Sequence, residues 1–230
     1  MEKQKKFIKP TQFTEHEIIK AIVEGKWTPG HNLPPERELA ETLGVTRPTL
    51  REVLQRLSRD GWIKINHGKP TIVVDYKNDG GLGVLKSLMN FEEFASKSLI
   101  KDWLEFRVLI FPDLGCKAVL SNSEEITNKL NNAPDINVDC KEFSVFDWEL
   151  QLLMIKYSRN SIAQMLYNDL TEIYNKQGAV YFSKKQTKQK SLEYYSRLKN
   201  AIVNDENAIK NIIKQTMQES LEIWQRINKL

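Results

Sequence analysis

Residues 44–70 read Gly44-Val45-Thr46-Arg47-Pro48-Thr49-Leu50-Arg51-Glu52-Val53-Leu54-Gln55-Arg56-Leu57-Ser58-Arg59-Asp60-Gly61-Trp62-Ile63-Lys64-Ile65-Asn66-His67-Gly68-Lys69-Pro70. Leu50, Val53, Leu54 and Leu57 recur at i, i+3, i+4 and i+7, which predicts a helix with one apolar stripe turned to a core. Arg47, Arg51, Gln55 and Arg59 fall on the opposite face. Thr46 is placed to cap the helix, its hydroxyl accepting from an early backbone N–H, and Pro48 lies in the first turn, where a missing N–H costs nothing. Asp60-Gly61 supplies a glycine able to take the left-handed conformation past the last turn, with Trp62 following as an apolar plug. Ile63, Ile65, Ile72, Val73 and Val74 have strand character. Asn66 to Pro70 between them carries turn residues, so a short hairpin with His67-Gly68-Lys69 at its tip is expected.

A helix of this width fits the major groove of DNA, and small or basic groups at a hairpin tip fit the narrower minor groove. Upstream, Thr14-x-x-Glu17 has the spacing of a capping box, and Ile18, Ile19, Ile22 and Val23 form an apolar stripe ending at Glu24-Gly25. Pro34 and Pro35 open a second helix, Glu36 to Leu43, with Leu39 and Leu43 on its buried side and Gly44 as its stop. Three helices and a small β-hairpin make a winged helix-turn-helix over residues 1–76. That segment holds 13 Lys and Arg against 10 Asp and Glu, and the remaining residues hold 21 against 20. So slight a surplus means that specificity must come from placement of individual cations rather than from gross charge.

The whole chain has 230 residues, enough for two domains. Residues 77–84 combine polar side chains with three glycines and read as a linker. Beyond it strand signals nearly vanish. Long amphipathic segments, near 85–90, 92–115, 123–132, 141–157, 159–182, 187–204 and 206–228, predict an all-helical bundle over 85–230, so the fold is mainly α. No apolar run is long enough to span a bilayer, and Met-Glu-Lys-Gln-Lys-Lys at the start lacks a secretory core; a soluble cytoplasmic protein without membrane association is expected. Cys116 and Cys140 lie in apolar helical surroundings and are expected to be buried thiols rather than a disulfide.

The larger segment is poor in reactive groups. His16, His31 and His67 all precede it, which removes histidine acid–base chemistry and histidine-ligated metal from residues 77–230. There is no Cys-x-x-Cys, phosphate-binding loop or dinucleotide fingerprint. Asp147 and Glu149 are two residues apart and so point to different helical faces, which suits surface or structural roles better than a catalytic pair. No catalytic residue, metal or cofactor is assigned.

The chain resembles the GntR-type transcription regulators, in particular their FadR branch, which responds to long-chain acyl-CoA. The resemblance is dense in Leu33-Pro34-Pro35-Glu36-Arg37-Glu38-Leu39, Gly44-Val45-Thr46-Arg47, Leu50 to Leu57, Arg59-Asp60-Gly61-Trp62 and His67-Gly68-Lys69-Pro70-Thr71. Later it thins to Arg107, Ser158-x-Asn160, Tyr181-Phe182 and Glu219-Ser220 with Glu222-Ile223-Trp224. It implies that Arg37, Arg47 and Arg51 contact DNA, that Thr46 and Thr49 meet phosphates, and that His67 and Gly68 probe the minor groove, beside the basic tip residue Lys69. Pro48 stands where the family usually has a hydroxyl residue.

In the metal-binding branch of the family an aspartate and histidines hold the ion; here Gln151 stands where a histidine would follow Asp147, so a metal is not expected. Met217, Ser220 and Trp224 share one helical face by their spacing, and the resemblance implies that this face borders an acyl-CoA cavity, although the family tends to have glycine in place of Met217. Arg107, Tyr181 and Lys229 are further candidates for polar contacts at its mouth. The expected activity is that of a homodimer on a palindromic double-stranded operator, released by long-chain acyl-CoA and acting as repressor or activator. The alternatives are a bundle that senses another metabolite such as an organic acid, an effector-free dimerisation module, or an enzyme or scaffold fused to a DNA-binding domain.

Overall fold

The computed structural model describes residues 9–66, 68–91, 93–202 and 206–229. The chain divides into two compact units, residues 1–94 and 95–230. The N-terminal unit opens with α1 (Pro10–Val23), α2 (Glu36–Leu43) and α3 (Arg47–Asp60), followed by β1 (Ile63–Lys64) and β2 (Ile72–Val73). The strands pair antiparallel, Ile63 with Val73 and Lys64 with Ile72, and Asn32 adds a bridge to Ile72. This is the expected winged helix-turn-helix.

Local chemistry sets the ends of its recognition segment. Thr46 caps α3 by accepting from the Thr49 N–H, Pro48 sits in the first turn, and Gly44 and Gly61 adopt left-handed φ of 65° and 97°. Leu50, Val53, Leu54 and Leu57 are buried against Ile18, Ile19, Ile22 and Leu39, and Trp62 closes the core. The first helix differs from its expected start. Pro10 occupies the first turn, so Thr14 lies inside the helix, and its hydroxyl donates to the Pro10 carbonyl (2.7 Å) rather than capping anything.

The expected linker also looks different. Tyr76 to Asp79 form a turn, and α4 (Leu82–Asn90) begins inside the range 77–84 and packs against α3. Val84 joins the core of the N-terminal unit, as does Phe94, with Leu88 and Phe91 packed alongside. A Cβ at Gly83 would lie 2.8 Å from the Asp60 carbonyl oxygen and 2.9 Å from its Cα, so only glycine lets α4 approach α3 this closely. His16 ties the following segment to α1: its Nδ1 is 3.0 Å from Glu17, its Nε2 is 2.7 Å from Glu93, and its ring stacks on Phe94 and meets Phe91 edge-on. The imidazolium form donates to both carboxylates. The compact unit thus runs through Phe94, past the apparent linker.

The C-terminal unit is all helix: α5 (Lys97–Ser121), α6 (Ser123–Asn131), α7 (Cys140–Tyr157), α8 (Ser161–Asp169), α9 (Thr171–Tyr181), α10 (Lys185–Ala201) and α11 (Glu206–Asn228). α5 lies along α11 and α7, and α7 also packs on α9. Two helices depart from expectation. α5 begins only at Lys97, where the Ser96 hydroxyl accepts from the Leu99 N–H (3.1 Å), and it continues through the buried Pro112. The stretch 159–182 breaks at Leu170, which lets the Thr171 hydroxyl accept from Trp148 Nε1 (3.0 Å). Both cysteines are free thiols; Cys116 is buried and burial pushes its pKa up, whereas Cys140 is only half-buried at the start of α7. Among the described residues no helix is long and apolar enough to cross a membrane.

Because α4 packs against α3 within the N-terminal unit, Gly83→Ala must push the two helices apart or strain the start of α4. The expected cost is about 1 to 3 kcal/mol to local stability. Amide hydrogen exchange should show faster exchange in Leu82–Asn90 of the variant; unchanged exchange there would contradict the close approach.

Candidate nucleic-acid interface and buried polar cluster

Because α3 buries its leucine and valine stripe, Arg47 and Arg51 are forced outward, four residues and about one turn apart at its N-terminal end. Both are exposed. Arg51 Nε donates to Glu36 Oε2 at the start of α2 (2.6 Å), which brings the first turn of α2 beside the first turns of α3. Arg37, next to Glu36, is exposed and loosely paired with Glu41 at 3.9 Å. Thr46 and Thr49 share a hydroxyl hydrogen bond of 2.9 Å at the helix start, Thr46 exposed and Thr49 half-buried. Arg56, in contrast, bridges Glu15 on α1 and Glu52, at 2.9 and 3.0 Å, and so belongs to the scaffold. Glu36 was not legible as an interface residue, because its partner is distant in sequence and no periodicity links them.

At the hairpin, Gly68 takes φ 71°, a left-handed value that favours glycine, and the Lys69 N–H donates to the Asn66 carbonyl. Gly68 and Lys69 are exposed. His67 lies outside the described residues.

The C-terminal unit holds a buried polar cluster. Asp147 on α7 accepts from Tyr174 OH on α9 and Tyr195 OH on α10, both at 2.5 Å, and from Gln151 Nε2 at 2.8 Å. Gln151 in turn offers Oε1 to Arg107 Nη1 at 3.5 Å, and Arg107 Nη2 donates to Ser220 Oγ on α11 at 2.5 Å. Arg107 is 3% exposed. Its Nε has no hydrogen-bond partner among the described residues, and the same holds for Trp224 Nε1, Tyr167 OH and Tyr194 OH. Orphaned buried donors are rare, and such a group commonly marks a place where a ligand or water supplies the acceptor.

Of the candidates named from sequence, Met217, Ser220 and Trp224 do share one face: Met217 and Trp224 are buried, and Ser220 takes the Arg107 bond. Tyr181 is half-buried; burial pushes its phenol well up, opposed by the nearby Arg107 guanidinium, which puts it within electrostatic reach of the cluster. Lys229 stands apart, exposed past the end of α11 with φ 54°. Asp147 is neither at the surface nor paired with Glu149, which faces out and meets Lys129 at 2.7 Å. A signal for its burial was present: Phe146, Trp148 and Leu150 surround it, and Gln151 follows at i+4. Among the described residues no group of three His, Cys, Asp or Glu could hold a metal.

Comparison with known proteins agrees with this architecture. Residues 10–73 match the family described as bacterial regulatory proteins, gntR family, and residues 74–230 match the FadR C-terminal domain. Proteins named fatty acid metabolism regulator protein are similar: that of Shewanella frigidimarina is 33% identical over 198 residues, spanning 86% of this chain and 82% of its own length. That of Yersinia enterocolitica is 36% identical over 199 residues, with the same coverage of 86% and 82%. The solved structure of Lar from Listeria monocytogenes, described as controlling expression of the agr system, has a TM-score of 0.59 at 14% identity and covers 96% of this chain and 99% of that one. At that identity the likeness concerns the fold.

Asp147→Ala would leave two phenols and an amide without their shared acceptor. The expected loss is about 3 kcal/mol in chemical denaturation of the C-terminal unit, with Asp147→Asn less costly because it keeps one acceptor oxygen. Burial, and then the Asp147 carboxylate, hold Tyr174 and Tyr195 well above the ordinary value of 10.0. Their folded forms therefore stay neutral while the unfolded chain ionises. That stabilisation is complete below about pH 10 and declines as pH rises from there toward the raised folded values. A denaturation series across that window should show falling stability, and the fall should shrink in the double variant Tyr174→Phe, Tyr195→Phe.

Proposed function

The chain belongs to the GntR family and carries a FadR C-terminal domain, and from that premise we propose that it is a DNA-binding transcription regulator of fatty acid metabolism whose helical bundle senses long-chain acyl-CoA. The relatives it matches along most of its length are named regulators, not enzymes, and the winged helix-turn-helix is the fold that reads DNA in such proteins. The observation that carries the DNA reading is the outward pair Arg47 and Arg51 on the N-terminal turns of α3. Each planar guanidinium can donate two parallel hydrogen bonds to a guanine edge. Arg37 reaches the groove or the backbone beside them; Thr46, Thr49, Gly68, Lys69 and His67 supply phosphate and minor-groove contacts.

The protein acts as a homodimer, since a two-fold protein matches a palindromic operator. Exposed apolar side chains support a partner surface in the C-terminal unit: Phe106 and Leu109 on α5, and Ile162 and Met165 on α8.

The effector reading rests on the Arg107 cluster. The orphaned Nε of a buried arginine beside Ser220, Trp224 and Met217 offers a polar anchor next to an apolar wall, which suits an acyl thioester. Tyr181, within electrostatic reach of Arg107, is a further candidate for a polar contact there. Release follows only if acyl-CoA binds the free arrangement of the protein more tightly than the DNA-bound one. An organic acid remains a second reading, favoured by one observation: Met217 is 4% exposed and fills part of the apolar wall.

Arg47→Ala and Arg51→Ala are each expected to weaken specific operator binding by about 1 to 3 kcal/mol. Fluorescence anisotropy with labelled duplex reads the loss; unaltered affinity in both variants would refute the DNA reading. Calorimetry with a long-chain acyl-CoA, free CoA and a dicarboxylic acid separates the effector readings. Binding of the thioester alone supports the acyl-CoA reading, and binding of the acid alone overturns it.

A further inference from the structure

Glu36 has the wrong charge for its place. It stands on the face that presents Arg37, Arg47 and Arg51, where an anion opposes the approach of phosphates. Stability does not account for its pairing with Arg51: the Arg51 and Glu36 side chains are 68% and 43% exposed, and an ion pair so open to water contributes little to folding. Yet the Nε to Oε2 distance is 2.6 Å, far shorter than the 3.9 Å separating Arg37 from Glu41. Other carboxylates nearby are differently employed. Glu52 takes Arg56 on the scaffold side, and Asp60 takes Arg59 at the far end of α3. Arg47 has no carboxylate partner among the described residues.

The geometry points to Glu36 as a positioning residue for base readout. By accepting from Nε it fixes the plane of the Arg51 guanidinium and leaves Nη1 and Nη2 to meet a guanine edge. An arginine stem has many rotamers, and anchoring the inner nitrogen removes that freedom before DNA arrives, as a carboxylate does wherever the planar fork must be aimed. The same negative charge lowers affinity for any duplex, because it subtracts from the phosphate attraction that all sequences share. Glu36 thus raises the ratio of specific to non-specific binding from both sides. This role rests on the reading of α3 as the recognition helix.

The test uses the full chain and a duplex that the wild-type protein itself selects from a randomised DNA library. Affinities of wild type, Glu36→Ala, Glu36→Gln and Arg51→Ala are measured at one salt concentration against that duplex, its single-base variants and a scrambled duplex. Arg51→Ala locates the base pair read by Arg51 as the position where preference disappears. At that position Glu36→Ala is expected to lose about tenfold in preference, within the range that a bidentate arginine–guanine pair supplies, while binding the scrambled duplex several-fold more tightly. Glu36→Gln keeps an acceptor for Nε, so it retains most of the preference yet shares the tighter scrambled binding. Full base preference in Glu36→Ala would overturn the proposal, as would parallel loss of specific and scrambled binding. If Arg51→Ala alters preference at no position, the recognition-helix reading itself fails, and the role of Glu36 falls with it.

Discussion

Everything on the DNA side depends on the burial of one stripe. Leu50, Val53 and Leu57 have no exposed surface and Leu54 has 4%, packed on Ile18, Ile19 and Trp62. Each such side chain contributes roughly 1.5 to 3 kcal/mol by leaving water. Turning α3 about its axis to hide its arginines would forfeit that burial and bury charge as well, so the outward direction of Arg47 and Arg51 follows from the core. The Thr46 cap and the left-handed Gly61 then fix where the helix starts and stops. An interface so determined needs little net charge, which matches the near balance of acids and bases in the first 76 residues.

The C-terminal unit solves the opposite problem, since it hides charge. A buried arginine and a buried aspartate are costly unless every polar atom finds a partner. Asp147 is satisfied by two tyrosines and Gln151, but Arg107 is only partly so. The cluster joins α5, α7, α9, α10 and α11 through side-chain hydrogen bonds. A ligand that gave the unpartnered Nε of Arg107 an acceptor would be bonded into a cluster that reaches all five helices. That wiring supports the proposed effector role, since a ligand biases a bundle only when its affinity differs between two arrangements of it.

Much of this was readable in the chain, for reasons that particular residues make plain. Helical spacing of Leu50 to Leu57, Thr46 before Pro48, and Gly44 and Gly61 after their helices are local signals, and the structure follows them. Thr14-x-x-Glu17 misled because Pro10, four residues earlier, is the stronger start. The glycines of residues 77–84 resembled a flexible linker; Gly83 instead serves a close helix approach, a purpose that only the neighbouring Asp60 backbone discloses. The Asp147 cluster and the Glu36 to Arg51 bond eluded the sequence because both are long-range pairings, and periodicity reports which face a residue occupies, not what it meets there.

The proposed coupling of operator binding to the helical bundle is measurable through linkage. The affinity of the full-length protein for a selected operator duplex, taken with and without a saturating long-chain acyl-CoA and with free CoA as control, tests it most directly. A fall of about 5- to 150-fold is expected with the thioester, the usual span of an allosteric coupling, and no change with CoA. Equal operator affinity in all three conditions would contradict it.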